Sequence, residues 1–155
     1  MTEREFTAAA ERHLDMVYRI ALNYFRVPAD AEDAAQTVML RLWQSDGDFA
    51  DDDHLRYWLV RVTLNVCRDV SRGFWRRRTV SLEECREPAF ADGEHQRLYQ
   101  EVMALPAKYR LPLYLYYYEG YSVAEVGELL GLKPSTVQTR LARAREKLRG
   151  SLMEE

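Results

Sequence analysis

Apolar side chains recur every three or four positions along most of this 155-residue chain, the spacing that lines one face of an α-helix. Phe6, Ala10, Leu14, Val17, Ala21 and Tyr24 trace the first stripe. Ahead of it, Thr2 with Glu5 forms a capping box that satisfies two amide donors at a helix start. Val27-Pro28 stops this helix, and Asp30 is placed to cap a second one. That second helix turns Ala31, Ala35, Val38 and Leu42 inward and Asp33, Gln36, Thr37 and Arg41 outward. A third, from His54 to near Arg72, buries Leu55, Leu59, Val62, Val66 and Val70. Its polar side aligns Tyr57, Arg61, Asn65, Arg68 and Arg72.

From Thr79 to Gly93 the periodicity lapses into TVSLEECREPAFADG, with a proline, several acids and no stripe, as a flexible connector reads. Helical spacing resumes at Glu94 through Leu98 and Val102. Leu105-Pro106 breaks it and offers the next helix a proline at its start. Leu113 and Tyr117 continue a buried face up to Gly120, a natural carboxy-terminal cap. Ser122 and Glu125 then form a second capping box, Val126, Leu129 and Leu130 supply a short stripe, Gly131 ends it and Pro134 opens a last helix. Two helices joined by a tight glycine turn are a helix-turn-helix. In the last helix Val137, Leu141, Ala144 and Leu148 face inward, leaving Ser135, Thr136, Gln138, Thr139, Arg140, Arg143 and Lys147 outside. The fold class is therefore all-α: two small helical domains, 1–78 and 94–155, joined by a flexible linker at 79–93, the second a helix-turn-helix domain.

Composition agrees with this and adds a charge pattern. The chain is 47% hydrophobic, with 7 glycines and 5 prolines, enough for packed cores and too little turn material for a many-stranded sandwich. The formal charge is only −3, so no whole-chain field recommends a polyanion. Locally the balance differs. His54 to Arg78 holds seven arginines against Asp69 alone, and Lys133 to Arg149 holds six basic residues against Glu146 alone. These are two separate cationic faces.

The acidic loop SDGDFADDD (45–53) invites a calcium reading. The ligand pattern, however, needs a third oxygen where Ala50 stands and a bidentate acid where Tyr57 stands. The aspartates read instead as favourable charge at a helix amino end. Cys67 and Cys85 make neither a metal framework nor a disulfide scaffold, which points to a reducing, cytoplasmic setting. Charged residues interrupt the first twenty positions, and no run approaches about 18 apolar residues, so neither a signal peptide nor membrane insertion is expected. His13, His54 and His95 are far apart, and no phosphate-loop or H-E-x-x-H motif occurs. No cofactor, metal or enzymatic activity is expected.

A major groove admits one helix, whose first turns meet base edges. Ser135 and Thr136 suit a phosphate at the helix start. Gln138 and Arg143 have donor geometry for bases, whereas Arg140, Arg145 and Lys147 suit phosphates. In the third helix, arginines near Tyr57, Trp58, Phe74 and Trp75 combine charge with flat rings, the ingredients of single-strand binding. Taken individually, Trp58 reads as core and Asn65 as a solvated amide.

Three blocks in order, DAEDAAQTVMLRLWQ (30–44), WLVRVTLNVCRDVSR (58–72) and LPAKYRLPLYLYYYEGYSVAEVGELLGLKPSTVQTRLARAREKL (105–148), resemble the extracytoplasmic-function (ECF) sigma factors of bacterial RNA polymerase. The resemblance implies a two-domain initiation factor, region 2 plus region 4. Its second helix would dock on core RNA polymerase through Asp33, Gln36, Arg41 and Trp43. Its third helix would open the minus-10 element and hold a flipped base, making Asn65 a reader supported by Trp58 and Arg61 beside Arg68 and Arg72. Its last helix would read minus-35 promoter DNA through Gln138, Thr139 and Arg143. Such proteins are commonly held off by an anti-sigma factor covering both domains, a closure the connector would permit. Here Ser135 and Gln138 depart from frequent family residues, and the loop at Asp51 to Asp53 is unusually acidic, so promoter sequence does not transfer. With no long extension after Leu148, no attached sensor domain is expected. The competing reading is a stand-alone helix-turn-helix regulator that shares only the last domain.

Overall fold

A computed structural model describes residues 1–74 and 93–153, and all regular structure among them is helical. The chain divides into two compact units, Met1–Cys85 and Arg86–Glu155. The connector at 79–92, Trp75, Arg76 to Arg78 and Cys85 lie outside the described residues.

The first unit packs α1 (Glu3–Phe25), α2 (Pro28–Gln44) and α3 (Asp52–Phe74) against one another. The Thr2–Glu5 capping box forms as expected. Pro28 rather than Asp30 sets the start of α2. Val27 is the extended residue before it, and Asp30 lies inside the first turn, because a proline suits the first helical position and forces its predecessor out of the helical region. The inward stripe Ala31, Ala35, Val38 and Leu42 is buried as read.

Two other stripes need correcting. Leu14 is 42% exposed while its neighbour His13 is buried. His13 can lie inside because its Nε2 meets Asp52 Oδ1 at 2.9 Å, and Arg12 Nε reaches the same oxygen at 3.0 Å. Val70 is likewise exposed. The core side of α3 widens to take in Val60, Thr63, Leu64 and Cys67, since the helix is pressed by both α1 and α2. Thr63 satisfies its buried hydroxyl by donating to the Leu59 carbonyl at 2.6 Å. Burial pushes the Cys67 thiol up to about 12, which leaves almost no thiolate at neutral pH.

The second unit comprises α4 (Gly93–Ala104), α5 (Ala107–Leu113), a π-helical turn (Tyr114–Tyr118), α6 (Val123–Leu130) and α7 (Pro134–Met153). Arg110 of α5 is buried and donates from Nη1 to the Leu105 carbonyl at 2.6 Å, satisfying an acceptor just past the end of α4. Leu98, expected in a stripe, is 44% exposed. The expected burial of Tyr117 also fails. At the π-turn the Glu119 amide reaches back five residues to Tyr114, and the extra residue per turn rotates the register. Leu115 fills the core while Tyr116, Tyr117 and Tyr118 face out.

The helix-turn-helix forms as the sequence reads. Ser122 and Glu125 complete their capping box, and Gly131 takes the left-handed conformation at φ 70°. The turn then folds back so tightly that the Leu132 amide donates to the Gly127 carbonyl at 2.8 Å. A Cβ on Gly127 would stand 2.6 Å from the Leu132 oxygen. Val137, Leu141 and Ala144 seal α7 onto this scaffold, while Leu148 is only partly covered.

Candidate functional site

On the first unit, the outer face of α2 carries Asp33, Gln36 and Arg41, all exposed. Trp43 is 46% exposed and leans edge-on against Phe6 of α1, ring centres 5.5 Å apart. Leu40, 55% exposed, adds an apolar contact to the same face. Stripe counting leaves Leu40 out, because it falls off the inward row; a large aliphatic residue among outward polar ones was the available signal.

The polar row of α3 keeps Arg61, Asn65 and Arg72 exposed, with Arg68 and Trp58 partly covered. Arg68 Nη1 donates to Asn65 Oδ1 at 3.4 Å, which orients the amide and leaves its NH2 as a donor. Trp58 is neither plain core nor a free platform. Phe49 of the preceding loop packs edge-on against it at 5.3 Å and against His54 at 5.5 Å. The loop is tied to α3 by the Ala50 amide donating to His54 Nδ1 at 2.9 Å and the His54 amide donating to Asp51 Oδ1 at 2.8 Å. Asp52 completes the attachment. The hydrogen bond with His13, together with the charges of His13 and Arg12, holds its carboxyl below the ordinary value against a smaller opposing effect of burial.

On the second unit, Lys108 and Tyr109 of α5 face Ser135, Thr136, Thr139, Arg140 and Arg143 of α7 across a cleft of about 330 Å³. At about 100° per residue, these α7 positions and Lys147 share one sector of the helix, on the flank beside Val137, Leu141 and Ala144. Thr139 uses its hydroxyl hydrogen on the Ser135 carbonyl at 3.0 Å, so towards a ligand it acts as an acceptor. Gln138 is exposed but outside the cleft, on the flank of Arg145, whose Nη1 donates to Tyr117 Oη at 2.8 Å.

Tyr109 is the residue that sequence reasoning missed here, together with Lys108. It lines the cleft with Arg143, and the ammonium groups of Lys108 and Lys147 lie 5.1 and 5.6 Å from its ring centre. Burial pushes the phenol up, but the neighbouring cations Arg143 and Lys108 outweigh it, and the net direction is down. An A-K-Y-R stretch gives no sign of this, because Tyr109 meets Arg143 only through the packing of α5 on α7. Among the described residues, no cluster of His, Cys, Asp and Glu could hold a metal ion, and no helix is long and apolar enough to cross a membrane.

Two helical units, the second a helix-turn-helix, match two family models in order. Residues 9–79 match Sigma-70 region 2 and residues 95–148 match Sigma-70, region 4, which defines a sigma-70-type architecture. The ECF RNA polymerase sigma factor SigM of Mycobacterium tuberculosis is 31% identical over 146 residues, covering 92% of this chain and 74% of SigM. SigW of Bacillus subtilis, also an ECF RNA polymerase sigma factor, is 27% identical, covering 95% and 88%. The chain belongs to the ECF sigma factors. Among solved structures, CnrH in complex with the cytosolic domain of CnrY is similar at TM-score 0.68 and 26% identity, covering 99% of this chain and 91% of that one. The sigma factor RpoE in complex with the anti-sigma factor NepR, from Bartonella quintana, shares the fold at TM-score 0.78 and 20% identity, covering 96% and 97%.

Proposed function

We propose that this protein is a cytoplasmic promoter-specificity subunit of RNA polymerase, without chemistry of its own. The observation that carries the reading is the presence of two cationic helical faces on separately packed units, in the order of regions 2 and 4. In this account domain 1–78 docks on core polymerase through Asp33, Gln36, Arg41 and Trp43 of α2. The α3 row then grips the minus-10 strand: Arg61, Arg68 and Arg72 neutralise phosphates, Trp58 offers a ring edge, and the Asn65 amide reads an extruded base. Extrusion costs a few kcal/mol, which binding to the larger enzyme offsets. Domain 94–155 sets α7 in the minus-35 major groove. Arg143, Thr139 and Gln138 meet bases, while Ser135, Thr136, Arg140 and Lys147 hold the backbone. The linker at 79–93 lets the two domains reach separate elements and permits an anti-sigma factor to cover both.

Core binding by Asp33→Arg and Arg41→Glu variants tests this. Each reversal should abolish association with core polymerase while the helical circular dichroism is kept. The free wild-type protein should bind duplex weakly, with a logarithmic salt slope of roughly 0.9 per phosphate contacted. Tight duplex binding without polymerase, indifferent to both reversals, would instead establish a stand-alone helix-turn-helix regulator.

A further inference from the structure

A buried imidazole must find partners for its ring nitrogens, and where stability is the only demand an apolar side chain fills such a place at no greater cost. His13 is buried all the same, although the apolar Leu14 stands next to it and faces out. Its Nε2 lies 2.9 Å from Asp52 Oδ1, and Arg12 Nε reaches the same oxygen at 3.0 Å. Two consecutive residues of α1 thus converge on the first residue of α3. What they hold is one end of a braced loop. Beside Asp52, the Asp51 carboxylate accepts the His54 amide at 2.8 Å, and His54 Nδ1 accepts the Ala50 amide at 2.9 Å. Towards the other end the Gly47 amide donates to Ser45 Oγ at 3.3 Å, and a Cβ on Gly47 would stand 3.2 Å from Met1 Cβ. Between these fixed points Phe49 meets Trp58, ring centres 5.3 Å apart.

Resting on the minus-10 reading above, we propose that His13, with Arg12, is a positioning residue for promoter opening. The pair fixes Asp52, Asp52 fixes the loop, and Phe49 of the loop fixes the Trp58 ring against which the extruded strand is held. The buried His13 ring is the rigid member, with two side-chain torsions against the four of the more exposed Arg12. Arg12 also offsets the Asp52 charge on a unit whose α3 row takes phosphates.

The test uses the full chain assembled with core polymerase on a promoter fragment found by run-off transcription, with opening followed by permanganate reactivity of thymines. His13→Leu suits the buried position, and the half-exposed Asp52 it abandons can hydrate. It should melt within a few degrees of wild type and bind core polymerase equally well, yet open the promoter about three- to tenfold more slowly, the worth of one hydrogen bond. His13→Gln, which places an amide nitrogen near the Nε2 position, should restore most of the rate. Arg12→Gln should slow opening by about two- to fivefold. Combined with Phe49→Ala, His13→Leu should add nothing to the loss caused by Phe49→Ala alone. The proposal is overturned if His13→Leu opens at the wild-type rate, if His13→Gln is as slow as His13→Leu, or if the loss multiplies with that of Phe49→Ala. Should His13→Leu lose melting temperature or core binding, Arg12→Gln decides, and an unchanged opening rate there overturns the proposal. If Asn65→Ala slows opening while His13→Leu does not, the positioning role alone falls; if Asn65→Ala and Phe49→Ala both open at the wild-type rate, the minus-10 reading falls with it.

Discussion

The helix-turn-helix depends on one close approach, and a single methyl group probes it. In Gly127→Ala the new Cβ meets the Leu132 carbonyl oxygen at 2.6 Å, with the Leu132 carbonyl carbon and Val137 Cγ2 at 3.6 Å. An ordinary contact begins at 3.4 Å, so α6 and the turn must part by about 0.8 Å. The obstacle is backbone, and it is the same peptide region that bonds back to the Gly127 carbonyl at 2.8 Å. Alanine gains about 1 kcal/mol of helix propensity over glycine. Overpacking costs about 1–3 kcal/mol, and a stretched buried hydrogen bond costs about 1 kcal/mol more. The net expectation is a loss of about 1–3 kcal/mol, a fall of roughly 5–25 °C in the melting of the second unit. Gly150→Ala is the control. Its Cβ meets nothing within 4 Å on the same helical background, so it should stabilise by up to about 1 kcal/mol. Scanning calorimetry of both variants checks the signs. If Gly127→Ala melts as high as Gly150→Ala, the tight turn is not the constraint described.

The tether between α1 and α3 carries a pH signature. The Asp52 carboxyl is depressed in the folded state, so its contribution is present above the unfolded value and disappears as pH falls through the folded one. Asp52→Asn should remove up to about 1 kcal/mol at neutral pH, given the exposure of the pair, and flatten the acid limb of a melting-temperature profile below about pH 4. In a Cys85→Ser background, native Cys67 should resist a thiol reagent at pH 8 and label fully in denaturant; rapid native labelling would contradict its burial. Asn65→Ala should leave core binding and the fold unchanged but slow open-complex formation at least tenfold, measured by permanganate reactivity of promoter thymines. An unchanged rate would take Asn65 out of base reading.

Local signals carried much of the architecture. Both capping boxes, the α2 stripe and the glycine turn depend on neighbours within four residues, and each is legible for that reason. What failed depends on distance. His13 replaces Leu14 in the core only because Asp52, 39 positions away, receives it. Tyr117 turns outward because a π-turn adds one residue to a register that counting takes as constant. The α7 cleft shows the same division. Its α7 residues follow from helical spacing, while Lys108 and Tyr109 enter through tertiary packing, and Gln138 falls outside because it sits on another flank.

Run-off transcription tests the central claim most directly: purified full-length protein, core RNA polymerase and fragments of the host genome. The account predicts initiation at defined starts, with two shared upstream elements and dependence on both Asn65 and Arg143. A folded protein that neither joins core polymerase nor starts transcription on any fragment would contradict it.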